Sequence, residues 1–519
     1  MSKEFLKGIT PREYQQKIFK TCVEKNCLVV LPTGIGKTLI ALMLAIKRSE
    51  TFPTEKIIFL APTKPLVEQH LNYFKKYLPE LFADMQLFTG TVKPEQREKI
   101  WKTADIIFST PQCIANDLRK NLYDLNNACL LIEDEAHRCI RNYDYNYVAQ
   151  QYQKQAKHPR ILGLTASPGS KTSKIKEICK NLFIEEVELR TRESDDVKEY
   201  LQKLEFEKVM INFPPAFEEI RQVILKLFNQ YVEELKKRKI LFEYPSKINL
   251  INLQKKIMKR LTTGSRNFNY MLGVSACAQA IKLQHALELL ETQTLESFNK
   301  YLRNLFNQAE KKQSKGVIKL VRKPEFNFVF MNSNELLMKN IEHPKLQELT
   351  KIVQREKSRN EKIKIIIFTQ FRDTATIISN KLNKLKKIKS KIFVGQAKRK
   401  DTGLSQKEQK QMIKDFSLGE MNILVATSIG EEGLDIPEVN VVIFYEPIPS
   451  AIRAIQRAGR TARLMKGKLI ILITKKTRDE AFYYVSRSRE KKMHKAINSI
   501  KEDLANNNNN NKDFQMKLK

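Results

Sequence analysis

Acidic residues are scarce in this chain: 58 Asp+Glu stand against 93 Lys+Arg, a formal net charge of +35 over 519 residues. That imbalance predicts a polyanionic partner, either nucleic acid or an anionic membrane surface. Long hydrophobic runs are missing too. Leu39–Ile46 falls far short of the ~20 residues that cross a bilayer, and Met1-Ser2-Lys3-Glu4-Phe5 has no secretory h-region, so no membrane role is expected. Cysteines number seven, with no C-x-x-C and no Cys/His cluster, which argues against a zinc site and predicts reduced thiols in an intracellular protein. Of the six histidines only His137 falls in a motif, and the other five read as packing or surface residues. An apolar content of 42% with 29% charge excludes disordered and fibrous classes, and the length suggests about three domains at 100–200 residues each.

From Leu28 to about Phe213, short β-rich runs alternate with helical stretches: Cys27–Leu31, Ile57–Ala61, Asp105–Ser109, Cys129–Ile132 and Ile161–Thr165. Each run is apolar on both faces, as in a parallel sheet covered by helices. A second such block holds Ile363–Phe368, Ile392–Val394, Asn422–Ala426, Val439–Tyr445 and Leu469–Ile473. The expected fold is α/β, two doubly wound parallel-sheet domains, and ligands in such sheets bind where strands end. Between them the period turns helical, with Phe217, Ile220, Ile224, Leu227, Phe228, Tyr231 and Leu235 forming one stripe. Leu283, Leu287, Leu290, Phe298, Leu302 and Leu305 mark another helical stretch. This insertion carries 23 basic and 12 acidic residues, net +11, clustered at Lys236–Lys239, Lys255–Arg260 and Lys311–Lys323. The clusters fit a solvated helix face and a phosphate-backbone surface equally. The expected divisions are residues 1–213, an all-helical basic insertion at 214–345, and 346–500. A disordered tail is expected at 501–519, where Asn506–Asn511 cannot build a core.

After the strand-like run ending at Leu31 comes Pro32-Thr33-Gly34-Ile35-Gly36-Lys37-Thr38, then an apolar helix. A glycine loop entering a helix N-terminus presents backbone N–H groups to a phosphate, with Lys37 reaching the β/γ-phosphates and the Thr38 hydroxyl suited to Mg²⁺. The strict P-loop pattern has Gly where this chain has Leu31. About a hundred residues on, Leu130-Leu131-Ile132 leads into Asp134-Glu135-Ala136-His137. A strand-end carboxylate across the sheet from a P-loop suits Mg²⁺, and its neighbour suits the attacking water; Asp134 fits the first role and Glu135 the second. Glu133 stands where an apolar residue is expected and reads as a tolerated edge residue. In the second block, Gly430–Asp435 is a glycine-acid loop, and Gln456–Arg463 spaces Arg457, Arg460 and Arg463 by three. An arginine brought across a cleft to the transferring phosphoryl group is worth about 10³–10⁵ in rate.

Together these residues resemble the motor core of DEAH-lettered superfamily 2 helicases, two RecA-like domains with an inserted helical domain. Ala61–Val67, Gly163–Ser170, Val394–Ala397 and Tyr445–Ile452 are similar to archaeal Hef and its eukaryotic relative FANCM. The resemblance covers about residues 5–500. It implies ATP and Mg²⁺ as cofactors, with Arg12 and Gln15 in the adenine-reading segment and Pro32, Thr33, Gly34, Ile35, Gly36, Lys37 and Thr38 in motif I. Asp134, Glu135 and His137 match motif II, Thr165-Ala166-Ser167 motif III, Gly433 and Asp435 motif V, and Gln456, Arg460 and Arg463 motif VI. His137 and Gln456 would couple the nucleotide cleft to the DNA side. The positions matching the family's DNA-touching motifs are Pro62, Thr63, Gly90, Thr110, Thr369, Gly395, Gln396 and Thr427, to which the insertion adds Lys255, Lys256, Lys259 and Arg260. Ala462 replaces a frequent motif VI glycine, a mild departure. The XPF-type nuclease motif of archaeal Hef, Glu-Arg-Lys with a following Asp, does not occur, so no cleavage is expected.

The implied activity is ATP-dependent 3′→5′ unwinding or branch migration of forked DNA in fork repair and restart, with replication or repair proteins as partners. The compartment would be the cytoplasm in an archaeon or the nucleus in a eukaryote. Two other readings stay open: a double-stranded RNA translocase of the Dicer or innate-sensor type, which shares the inserted domain, and a non-catalytic branched-DNA scaffold. Intact Lys37, Asp134, Glu135, Gln456 and Arg460 argue against the scaffold.

Overall fold

A computed structural model describes residues 6, 8–79, 81–200, 204–263, 268–395, 403–427, 436–459 and 466–516, without the side chains of residues 451, 452, 455, 456 and 505–516. The first lobe is a parallel seven-stranded sheet in the order β3-β4-β2-β5-β6-β1-β7. Its strands are β1 (Cys27–Val30), β2 (Lys56–Leu60), β3 (Met85–Phe88), β4 (Ile106–Ser109), β5 (Ala128–Asp134), β6 (Ile161–Thr165) and β7 (Glu186–Leu189). The interior strands β1, β4, β5 and β6 are buried at every position. Successive side chains point to opposite faces, so Val29 and Leu31 enter one core while Leu28 and Val30 enter the other. The helices Glu13–Glu24, Lys37–Thr51 and Lys64–Tyr77 cover the first face. Pro111–Arg119, Asp144–Gln155 and Thr172–Asn181 cover the second.

The second lobe is a parallel six-stranded sheet in the order β10-β11-β9-β12-β13-β8. It comprises β9 (Ile365–Phe368), β10 (Ser390–Phe393), β11 (Ile423–Ala426), β12 (Val441–Phe444), β13 (Gly467–Thr474) and, on its edge, β8 (Leu204–Ile211). This corrects the expected division at residue 213: the chain has already crossed to the second lobe by Leu204. Strand β8 is mostly half-exposed, so its sequence carries little apolar signal. It is held by its ladder to β13 and by Lys468, whose ammonium pairs with Glu207 at 2.6 Å and Glu356 at 2.9 Å.

Between the lobes stand the helices Glu218–Lys237, Lys247–Thr262, Phe268–Thr292, Leu295–Glu310, Lys315–Val321 and Pro324–Met338. Every residue of the two apolar stripes read from the sequence is in their common core. The last helix, Arg478–Met516, ties the parts together. Arg478 donates to the Gln284 carbonyl of the insertion at 2.8 Å. Asp479 forms a fully buried ion pair with Lys345. Met493, Ala496, Ile497 and Ile500 then enter the first lobe's core, so the expected end of the second domain at residue 500 does not hold either. The backbone stays helical through Asn506–Asn511 to Met516, where a disordered tail was expected; extending a helix already nucleated by packing adds one hydrogen bond per residue fixed.

Candidate active site

Motif I sits at the C-terminal end of β1, with β6 beside it and β5 one strand further. Gly34 and Gly36 both have φ +85°, a left-handed conformation open to glycine. A Cβ at Gly36 would stand 2.2 Å from Gln15 Nε2, so the loop and the Gln15 segment are fitted to each other. Tyr14 Oη donates to the Ile35 carbonyl at 2.6 Å, Gln15 Nε2 donates to the same oxygen at 3.3 Å, and Arg12 N donates to Gln15 Oε1 at 2.9 Å. Gln15 is thus buried against the loop and braces it. Arg12, half-buried, lies with its guanidinium 5.0 Å from the Tyr200 ring centroid. Lys37 Nζ donates to the Leu31 carbonyl at 2.8 Å, folded onto the loop it would leave for a phosphate. Thr38 is half-buried in the first helical turn beside it. Pro32 is half-buried, and the Thr33 hydroxyl is buried with no hydrogen-bond partner. A cradle shaped by two positive-φ glycines, a lysine, a hydroxyl and an orphaned polar atom fits a nucleotide's phosphates and their Mg²⁺.

Strand β5 delivers Asp134 and turns at Glu135, which takes φ +55°, a strained conformation for a residue with a side chain. Tyr145 Oη donates to the Asp134 carbonyl at 2.7 Å and fixes the turn. The Asp134 carboxylate is buried, which raises its pKa, but the charge and hydrogen bond of His70, with the charge of Lys37, outweigh this and hold it below the usual range. Glu135 Oε2 lies 3.2 Å from His137 Nδ1, which is also 3.2 Å from Thr165 Oγ1 at the end of β6. Thr165 Oγ1 in turn accepts from Ser167 N at 3.1 Å, so motifs II and III are joined through His137. Glu133 is not the edge residue its sequence suggested. It is fully buried in the central strand, burial raises its carboxyl to about 8, and Cys139 Sγ donates to it at 3.0 Å. A protonated carboxyl behaves as a neutral polar group, which is why an interior strand accepts it.

Facing the P-loop, the second lobe contributes Pro447, Ala458 and Gly459 to a cavity of about 290 Å³ that also touches Pro32, Thr33 and Ala166. Arg457 is buried over the rings of Phe368 and Phe444, at 4.9 and 5.8 Å. Gln396, Gly433, Asp435, Arg460, Arg463 and the side chain of Gln456 lie outside the described residues.

The candidate DNA contacts divide. Thr63 is exposed at the N-cap of helix Lys64–Tyr77 beside half-buried Pro62, and Gly90 is exposed with open space around it. Thr110 is half-buried at the N-cap of helix Pro111–Arg119. Gly395 is half-buried and its carbonyl accepts from Arg372 at 3.2 Å. Lys255, Lys256, Lys259 and Arg260 are all exposed on helix Lys247–Thr262. Thr369 and Thr427 run against expectation, being buried. The Thr369 hydroxyl is turned to Gln293 of the insertion at 3.5 Å, so it is a joint between domains rather than a phosphate ligand in this conformation. The sequence reading missed Tyr14 and His70 as site residues. Tyr14 lies next to Gln15 in the adenine-reading segment, a signal that could have been used, whereas a histidine on a helix carries none.

A DEAD/DEAH box helicase model matches residues 12–175, a helicase conserved C-terminal domain model matches 344–465, and one described as "Putative ATP-dependent RNA helicase, helical bundle" matches 216–335. With two parallel-sheet lobes closing on a P-loop and a DEAH turn, the molecule is a superfamily 2 helicase motor. The helicase domain of Pyrococcus furiosus Hef is similar over 92% of this chain and 98% of that one, with 41% identity and a TM-score of 0.70. The chain belongs to the Hef/FANCM family. "Putative ATP-dependent RNA helicase MJ1505" of Methanocaldococcus jannaschii is 38% identical over 95% of this chain and 61% of its own length. The Fanconi anemia group M protein homolog of Mus musculus is 30% identical over 95% and 26%. The chain therefore spans less than two thirds of each of these two relatives. Among the described residues no helix is long and apolar enough to cross a membrane, and no cluster of three or more His, Cys, Asp or Glu residues that could hold a metal ion occurs.

Proposed function

We propose that this chain is an ATP-dependent DNA helicase or translocase that moves 3′→5′ on forked or branched DNA, in the repair and restart of replication forks and alongside replication or repair proteins. The observation that carries the reading is Lys37 after β1 and Asp134–Glu135 at the end of β5, with the Lys37 charge acting on Asp134, in a motor whose Hef-like relative matches nearly end to end. Thr38 and Asp134 would hold Mg²⁺, which would supply charge stabilisation to the phosphates. Motif I amides and Lys37 grip the phosphates while Arg12 and Gln15 face the base. Glu135 takes the proton of the water that attacks the γ-phosphorus, the bond to the bridging oxygen breaks, and ADP and phosphate leave. By the resemblance, Arg460 and Arg463 would supply charge, Gly433 and Asp435 would bind the nucleotide, and Gln456 and His137 would couple hydrolysis to DNA. Pro62, Thr63, Gly90, Thr110, Gly395 and Gln396 track one strand's backbone. Such contacts do not read bases, so binding follows DNA structure. The exposed insertion lysines give the branch its second grip.

The test is ATP hydrolysis without nucleic acid and with single-stranded DNA, forked DNA or double-stranded RNA, for the wild type and Glu135→Gln. Stimulation by forked DNA that Glu135→Gln abolishes supports the reading, and unwinding of partial duplexes with 3′ rather than 5′ tails supports the polarity. The names of MJ1505 and of the helical-bundle model favour a second reading, an RNA-stimulated motor; stimulation by RNA alone would replace the first with it.

A further inference from the structure

The helix Lys64–Tyr77 carries three different features at its N-cap and along its first two turns. Its N-cap, Thr63, is exposed beyond the end of β2 among the proposed DNA contacts. Glu68 pairs with Lys410 of helix Gln406–Leu418, in the second lobe. His70 is buried, 6% exposed, and its Nε2 is 2.8 Å from Asp134 Oδ2. The ring is clamped from behind by Phe59 of β2, centroids 4.4 Å apart and tilted 33°. Strands β2 and β5 are neighbours, so the imidazole lies between one strand's side chain and the next strand's carboxylate. Leu66, Val67, Leu71 and Phe74 seat the helix in the core.

Satisfying a buried carboxylate is reason enough for a donor at this position. The exposed Thr63 and the Glu68–Lys410 pair give the helix more to do. We propose that His70 is a positioning residue: it fixes one oxygen of Asp134 and leaves the other for the nucleotide's cation. Through it, the helix passes contact at Thr63 and lobe contact at Glu68 to the nucleotide site. The inference rests on the reading of Asp134 as the carboxylate that holds Mg²⁺. Hydrogen-bond partners of metal-holding groups are worth about 10–100-fold in metal affinity. A glutamine keeps an N–H donor at this position; a leucine does not.

The experiment uses the full chain and compares wild type, His70→Leu and His70→Gln. Binding of a fluorescent ADP is followed as Mg²⁺ is titrated, which involves no turnover; kcat and KM for ATP are then measured with and without forked DNA, and thermal midpoints are recorded. In His70→Leu the Mg²⁺ for half-maximal binding rises about tenfold or more, metal-free binding stays at the wild-type level, and kcat with DNA falls more than kcat without it. His70→Gln returns these values toward wild type. A Mg²⁺ requirement unchanged in His70→Leu, however far its melting point drops, overturns the proposal, as does a glutamine variant that behaves like leucine. Should His70→Leu melt below the assay temperature, His70→Asn, whose shorter amide falls short of Asp134, takes its place under the same criteria. A wild type whose ADP binding ignores Mg²⁺ removes the nucleotide-site reading itself; Mg²⁺-dependent wild-type binding with an unaffected His70→Leu removes this one alone.

Discussion

Replacing Lys345 with methionine tests what holds the insertion and the second lobe to the long terminal helix. Lys345 and Asp479 are both fully buried and paired, Lys345 Nζ also donates to the Thr292 carbonyl at 3.0 Å, and Asp479 Oδ2 accepts from Thr474 N at 2.9 Å. Methionine fills much the same space but leaves the aspartate without its cation. Removing one partner of a buried pair costs about 3–5 kcal/mol, because an uncompensated charge remains. At about 2–4 °C per kcal/mol for a unit of 150–250 residues, the midpoint falls by about 6–20 °C. Scanning calorimetry of wild type, Lys345→Met, Asp479→Leu and the double variant gives the cycle. The double variant should recover most of the loss, since an apolar pair of similar volume no longer strands a charge. Lys387→Ala, at an exposed pair with Glu361, serves as the control and should leave the midpoint in place. A Lys345→Met midpoint equal to that control, or a double variant as unstable as the two singles added together, would refute the reasoning.

Three further outcomes are expected. Burial raises the Glu288 carboxyl, but the hydrogen bond with His285 and the charge of Lys247 overcome this and hold it at about 2 against an ordinary 4.5. A depressed acid stabilises the fold above its unfolded pKa and loses that contribution as pH falls through the folded one. Insertion stability should therefore decline between about pH 5 and 2, and Glu288→Gln should flatten this segment of the urea-midpoint profile. Gly36→Ala puts a methyl against Gln15 at positive φ, so fluorescent ADP binding should weaken by at least about tenfold; Gln15→Ala in the same chain should restore only part of it, since the backbone strain persists. Reversing Lys255, Lys256, Lys259 and Arg260 should weaken fork binding and flatten its salt dependence by up to about 0.9 for each phosphate no longer neutralised; an unchanged slope would remove the insertion from the DNA interface.

What was legible followed burial and backbone geometry. The interior strands announced themselves because both faces are covered, so Ile57–Leu60 and Ile161–Leu164 are apolar or small throughout. The edge strands β3, β7 and β8 are only partly covered, and Met-Gln-Leu-Phe or Leu-Glu-Phe-Glu reads as loop. That is why the crossing at Leu204 was missed. Motif I was readable because its glycines answer a positive φ. Glu133 was not, because a sequence does not tell a protonated carboxyl from an ionised one. His70 was invisible for a related reason: a histidine on an apolar helix face looks like core until the carboxylate opposite it is placed.

The path of the chain between the lobes bears on how the motor is made. Strand β8 is synthesised with the first lobe but belongs to the second sheet, and Met493–Ile500 are synthesised with the second lobe but close the first lobe's face over helix Thr172–Asn181 and β7. A ribosome releases the amino-terminal domain first, so that lobe stands with an uncovered apolar face until the last helix emerges. Residues 6–200 expressed alone should accordingly bind a hydrophobic dye that the whole chain does not, and a supplied peptide covering residues 478–504 should suppress the signal. The motor is thus completed late: the second lobe finds its edge strand already made, while the first waits on a segment made with the second.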